Sequence, residues 1–445
     1  MPGEIQRSLT DGGTSAAPSE AQASGPDAGT PPGPVLELEG LGELSSPTPR
    51  DQGAGAAQPT ADKSFRERLD PTASLTQRAA SILDRTTIGG YSEHDLVISR
   101  NGSSTFRNHR YVLFVYSHIS ERISTATEVE FEFGGSPLKR DGTLGPGEVL
   151  LEFSVVDLEI ARWLIFRAGV ILVPVGIYNL RHDAPAQELP ERPIAYTTVV
   201  PTTWFESGAG FLGELNVGST VVGYEAYAVN GLDARILDVE GFRAARGSHL
   251  EDNNADKAIT GRLFVSPSLG LEMGISGYTG AYDDQGRRAN LVNADLFWRL
   301  GRVDLTGEVV RAFVDPGYVQ GFAADSPANT RTRVPTGMTG FYAQANYRFA
   351  IEPLFRLLPP EWREGHFTAS VRYEEKDTDT EFITAGDAAR LTVGLNFRPL
   401  PPYVIKQSFD FEKNGSEGIE QPHAWRRRFW EEPSYEYIAS VAFLF

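Results

Sequence analysis

The last eleven residues, Tyr435 to Phe445, read YEYIASVAFLF. Counting back from Phe445, Phe443, Val441, Ala439 and Tyr437 are apolar or small, while Ser440 and Glu436 fall in the other register. Successive side chains of a strand point to opposite faces, so the first set lines an apolar surface and the second a polar one. Such a strand suits the edge of a soluble sheet or a wall with one face in lipid. The rest of the chain decides between them.

The same period runs upstream. Phe367, Ala369, Val371 and Tyr373 alternate with Thr368, Ser370, Arg372 and Glu374, and Leu391, Val393, Leu395 and Phe397 alternate with Arg390, Thr392, Asn396 and Arg398. From Thr86 onward, 16 strand candidates recur between 86–99 and 434–445, including 163–175 and 208–217. Short turns such as Ala161–Arg162, Val217–Ser219 and Pro399–Pro402 alternate with long connections at 135–146, 176–207, 231–256, 315–335 and 415–433. Short turns on one rim and long loops on the other mark a transmembrane barrel. The Pro-rich stretch Ile351–Gly365 is the exception, long on the short side. The expected class is therefore all-β, a transmembrane antiparallel β-barrel of about 16 strands over 86–445.

Composition agrees. No segment approaches the roughly 20 apolar residues of a spanning helix, and 45 Gly, 16 Tyr and 25 Phe suit turns and interfacial girdles. Cysteine is absent, which removes thiolate and disulfide chemistry. The net charge of −18 argues against nucleic acid as a partner. The first 75 residues hold 11 acids and 5 bases, leaving the body at −12. Residues 1–60, rich in Ala, Gly, Pro, Ser and Thr, lack the apolar surface to offset their ordering entropy and are read as disordered. Residues 61–85 read as a linker with the capacity for short helices. The opening MPGEIQRSLT has neither a basic n-region nor an apolar h-region. Export requires a leader, so the chain is expected to start after a cleaved one or to carry a misplaced start.

Particular phrases carry a family resemblance: GGYSEHDL (89–96), HRYVLFVYSHISERI (109–123), FRAGVILVPVGIYN (166–179), PTTWFESGAGFLGEL (201–215) and GRLFVSPSLGLEMGISGYTG (261–280). Over Gly89 to Phe445 the chain resembles the phosphate-selective porin O and P family of Gram-negative outer-membrane channels. The closing strand likewise resembles the assembly signal of outer-membrane barrels, on Tyr437, Val441, Phe443 and Phe445. The resemblance implies a homotrimer in outer-membrane lipid and lipopolysaccharide, inserted by the barrel-assembly machinery. It also implies passive diffusion of small hydrophilic solutes, with no cofactor.

The resemblance further implies a third loop folded into the lumen. Here that loop is Tyr178–Glu206, with Arg181, His182, Asp183, Glu188, Glu191, Arg192, Tyr196 and Trp204 as constriction candidates. Anion selectivity in the family depends on inward basic residues, and strand phase nominates Arg167, Arg262, Arg299, Arg348, Arg372, Arg390, Arg398 and Lys406 for the lumen. They are opposed by Glu128, Glu130, Glu132, Glu148, Glu152, Asp295, Asp304, Glu308, Glu374, Asp410 and Glu412, an acidic excess that counts against phosphate selectivity. A structural or adhesive barrel with an occluded lumen, and a soluble secreted β protein, stand as alternatives. Trp425, Arg426, Arg427, Arg428, Phe429 and Trp430 read as an interfacial anchor.

Enzymatic readings find little. There is no GxSxG elbow, HExxH helix or P-loop. His94, His109, His118, His182, His249, His366 and His423 are scattered without metal spacing, and HLEDNNADK (249–257) lacks the ligand spacing of a calcium loop. No metal is expected.

Overall fold

The computed structural model describes residues 85–99, 103–135, 147–247, 252–320, 331–415 and 434–445. The expected disordered segment, nearly all of the linker, and the Trp425–Trp430 cluster lie outside the described residues. The strands are β1 (Thr86–Ser99), β2 (Ser104–His118), β3 (Ile123–Glu132), β4 (Glu148–Ala161), β5 (Leu164–Leu172) and β6 (Phe205–Val217). Next come β7 (Thr220–Val229), β8 (Ala258–Ser268), β9 (Leu271–Ala281), β10 (Arg288–Leu300) and β11 (Val303–Val314). A small ribbon of β12 (Tyr318–Gln320) and β13 (Arg331–Arg333) precedes β14 (Gly337–Phe349), β15 (His366–Asp377), β16 (Ala388–Leu400), β17 (Tyr403–Asn414) and β18 (Ser434–Leu444). The ribbon apart, neighbours in the chain pair antiparallel and β18 pairs with β1, closing a barrel of 16 strands.

The closing strand makes the seam. Tyr91 stands opposite Leu444 and Ser99 opposite Glu436. Beyond the ladder, Phe445 N–H donates to the Gly90 carbonyl at 3.0 Å, and Gly90 N–H donates back to the Phe445 carbonyl at 3.1 Å. Position 90 demands glycine, because a Cβ there would sit 2.1 Å from the Val112 carbonyl oxygen and 2.8 Å from the Phe445 ring.

Alternation now has a direction. On β15, Thr368, Ser370, Arg372 and Glu374 are buried inside the barrel, while Val371 on the other face is exposed. Around the wall, Ile88, Val115, Leu158, Ile275, Val309 and Phe409 are exposed outside while acids and arginines are buried within. A protein dissolved in water would place these sets the other way round.

Aromatic side chains mark the edges of the outer apolar face. Near the short turns, Phe349 stacks on Phe367 at 5.7 Å and Phe367 on Phe397 at 5.0 Å. Toward the long loops, Phe341 meets Tyr373 at 6.0 Å and Phe411 meets Tyr435 at 5.6 Å. Tyr403 and Phe411 are eight residues apart on β17, which at about 3.4 Å per residue and a tilt of about 40° spans about 20 Å, near the ~25 Å apolar band of such barrels. The long connection Ile351–Gly365 sits on the short-turn rim, where Phe355 packs against Phe367 and Phe397 at 5.6 and 6.0 Å.

Strand boundaries differ from the sequence reading by one or two residues in most places and by three at two. β5 ends at Leu172, not 175, because Pro174 has no N–H to continue the ladder. β6 starts at Phe205, not 208, so the long connection read as 176–207 is 173–204. The ribbon inside 315–335 escaped notice because strands of three residues are too short to show a period. Pairing register also shifts at five places among the described strands, three of them next to short turns and two within the wall. Pairing shifts between Glu93 and His94 leave His109 as an extra residue on β2, and a shift between Glu128 and Val129 leaves Glu152 extra on β4. Bulges re-aim side chains, and here they turn His109, Arg110 and Glu152 into the lumen, each less than 10 % exposed.

Candidate functional site

Loop 173–204 leaves the wall at a neck between β5 and β6 and folds into the barrel. At the neck Val173 N–H donates to the Trp204 carbonyl at 2.9 Å. The Asn179 amide straps it, donating to the Val173 and Trp204 carbonyls at 2.8 and 3.0 Å and accepting from Trp204 N–H at 2.8 Å. Apolar side chains hold one face of the loop to the wall. Tyr178, Tyr196, Val199, Val200 and Trp204 share one buried cluster with Tyr278, Leu291, Val310 and Tyr342. Tyr196 meets Tyr342 edge-on at 5.4 Å, and Trp204 lies 4.9 Å from Tyr278.

Polar contacts fasten the loop on its other sides. Toward β9 and β11, Arg181 pairs with Glu272 at 2.7 Å, Gly176 N–H donates to Ser276 at 3.0 Å, and Tyr178 N–H donates to Glu308 at 2.8 Å. Toward β3 and β4, His182 meets Glu152 at 3.1 Å, and Arg192 lies 3.8 and 3.7 Å from Glu130 and Glu132. Across the lumen, Lys406 donates to the Ala184 carbonyl at 2.7 Å, Arg398 to the Pro185 carbonyl at 2.8 Å, and Asn396 to the Glu188 carboxylate at 2.8 Å. The candidate constriction residues thus reach opposite walls of the barrel.

Glu374 on β15 is the hub of the far wall. Its carboxylate, fully buried, accepts from Arg372 at 3.0 Å, Arg390 at 2.7 Å and the backbone N–H of Ile194 at 2.6 Å. The same two arginines donate to the loop carbonyls of Glu191 and Arg192 at 2.9 and 2.6 Å. On β2, Arg107 pairs with Glu191. Burial works against ionising Glu191, but Arg107 outweighs it and brings the carboxyl down to about 2, so it stays an anion.

A second connection, 230–247, lies over the first. Phe242 N–H donates to the Thr198 carbonyl at 2.9 Å, and Arg243 and Arg246 donate to the Thr202 and Thr203 carbonyls at 2.9 and 2.7 Å. At the level of the loop, Glu93, Glu130, Glu152, Glu374 and Lys406 are 0 % exposed.

Every basic lumen candidate has an acidic partner. Arg167 pairs with Asp157 at 2.7 Å, Arg262 with Asp295 and Glu272, and Arg299 and Arg348 share Asp304 at 2.9 and 3.0 Å. Arg372 and Arg390 share Glu374, Arg398 lies 3.5 Å from Glu188, and Lys406 pairs with Glu93 at 3.1 Å. The residues Glu93, Asp95, Arg107, His109 and Arg110 complete this lining and were not nominated from the sequence. The β2 bulge hides Arg107, His109 and Arg110 from strand phase, although the adjacent polar pair His109–Arg110 is a legible break in the alternation, whereas Glu93 and Asp95 follow the regular phase of β1.

The four terminal candidates lie on the outer face. Tyr437 lies 4.8 Å from Phe409, Phe443 stacks on Tyr403 at 5.8 Å, Phe445 stacks on Tyr111 at 5.5 Å, and Val441 is exposed.

No family model matches the chain. It is similar to an uncharacterized protein of Aquifex aeolicus (strain VF5), 26% identical over 366 residues, 77% of this chain and 80% of that protein. Among solved structures, the anion-selective porin from Comamonas acidovorans aligns with 81% of this chain and 99% of its own, at 12% identity and a TM-score of 0.48. The outer membrane channel DcaP of Acinetobacter baumannii aligns with 81% of this chain and 97% of its own, at 9% identity and a TM-score of 0.47.

Proposed function

We propose that the chain is a porin-like channel of the Gram-negative outer membrane, allowing passive diffusion of small hydrophilic solutes past loop 173–204. The supporting observation is the inverted barrel: charged side chains line the inside of 16 closed strands and an aromatic-edged apolar band covers the outside. The loop is the barrier, and movement of its far-wall contacts sets the conductance. In this reading the barrel assembles as a homotrimer in lipid and lipopolysaccharide, and the assembly machinery reads Tyr437, Val441, Phe443 and Phe445.

The phosphate selectivity implied by the family resemblance receives no support from the charges. Each basic lumen candidate is matched by a carboxylate, and a neutralised arginine offers a passing anion little field. We expect weak selectivity that favours cations, because the body carries an acidic excess. Reversal potentials in a salt gradient check this. Arg181→Ala with Arg192→Ala takes one cationic partner each from Glu272, Glu130 and Glu132 and moves the potential further toward cation preference; an unchanged potential removes the loop charges from the selectivity filter.

One observation favours a second reading, a structural barrel with an occluded lumen. The loop is bonded to walls on opposite sides, and the surrounding charged side chains are shielded from water. Conductance separates the two. A barrel that stays electrically silent after its far-wall contacts are cut is a structural one.

A further inference from the structure

Where the loop turns down onto β3 and β4, four ligand-type side chains converge. One carboxylate oxygen of Glu128, one of Asp183 and a ring nitrogen of His182 all lie within 4.8 Å of one another. Glu152, turned inward by the β4 bulge, stands 3.1 Å from His182 Nε2. Two belong to the loop and two to the wall.

The groups behind them orient the set as a metal site does. His182 Nδ1 faces the Asn179 carbonyl at 3.0 Å, and a carbonyl only accepts, so Nδ1 carries a proton, while Nε2 faces the Glu152 carboxylate at 3.1 Å, where a bound metal would take the place of a proton. Metal-ligating histidines commonly have their second nitrogen fixed in this way. Thr203 donates to the other oxygen of Glu152 at 2.6 Å, which fixes that carboxylate in turn. Glu128 is 6 % exposed, and its Oε1 has no hydrogen-bond partner. Glu128 is thus a buried carboxylate beside a histidine and two more acids, with one oxygen that no donor satisfies. Arg110 and Arg192 are engaged elsewhere, with Glu93, Glu130 and Glu132. The other cluster of this type among the described residues, Glu93, Asp95 and His109, already holds Arg107, Arg110 and Lys406 and has no such vacancy of charge.

We propose that Glu128, Glu152, His182 and Asp183 form a divalent transition-metal site that pins the loop to the wall. Three carboxylates and one imidazole suit Zn²⁺ or Mn²⁺. The site stands on side-chain geometry and does not depend on the channel reading.

The test is isothermal titration of Zn²⁺ into the full chain refolded in detergent, with heat-modifiable electrophoretic migration used to verify folding of every variant. Wild type binds one ion per chain above a weak surface background defined by Glu128→Gln combined with His182→Ala. Each single substitution weakens that site by at least about tenfold, while Glu159→Gln, an acid of β4 outside the cluster, binds as wild type does. If His182→Ala fails to fold, Glu128→Gln alone carries the comparison. Wild-type binding no tighter than the double variant, for Zn²⁺ and for Mn²⁺, overturns the proposal.

Discussion

Glu374→Ala is expected to release the loop and raise ion flow through the barrel. The substitution removes the acceptor of the Ile194 N–H and the nearest carboxylate of two buried guanidiniums, Arg372 and Arg390. A hydrogen bond to a charged group contributes about 1.5–3 kcal/mol, so the ratio of displaced to seated loop rises by roughly ten- to a hundredfold. Taking this carboxylate from two buried arginines also costs the fold up to about 3–5 kcal/mol, less for Arg390, which keeps Glu412 at 3.7 Å; urea unfolding followed by loss of heat-modifiable migration measures it. Glu374→Gln separates the effects. Its amide oxygen still accepts from Ile194, so it shares much of the stability loss but less of the gain in conductance. Equal conductance in all three proteins means that this contact does not hold the barrier.

Phe445→Ala is expected to act in the cell far more than in the test tube. The substitution keeps both backbone hydrogen bonds to Gly90 and loses the ring stacked on Tyr111, a half-exposed side chain on the outer face. In vitro the barrel then loses about 1 kcal/mol, in line with one aromatic pair. In cells the inserted fraction falls severalfold, because on the reading above the terminal aromatic is what the assembly machinery recognises. Quantifying heat-modifiable barrel in outer-membrane fractions, beside refolding yield in detergent, checks both halves. Equal insertion of wild type and variant assigns Phe445 to the seam alone.

The barrel was legible in the sequence because its rule is local. Period-2 alternation and the length of each connection give strand number, order and facing without knowledge of any distant contact, and YEYIASVAFLF reads the same way in the seam as it does in the chain. The interior was only partly legible. Phase placed Arg372, Arg390 and Glu374 on one face, but nothing in the sequence says that Ile194, 180 residues upstream, supplies a donor to that carboxylate. Bulges were the second obstacle. A single extra residue at His109 and another at Glu152 reset the phase and bring inward residues that strict alternation does not relate to their neighbours. The four side chains around His182 come from positions 128 to 183, a spacing without any metal pattern, and only the closing of the loop onto β3 and β4 assembles them.

The central claim is that the lumen is a water path gated by loop 173–204, and planar-bilayer recording of the purified, folded wild-type chain beside Glu374→Ala tests it most directly. The prediction is discrete small steps for wild type, larger or longer-lived steps for Glu374→Ala, and a modest preference for cations in both. Silent membranes from both proteins, with insertion verified, would contradict the claim and leave a structural barrel.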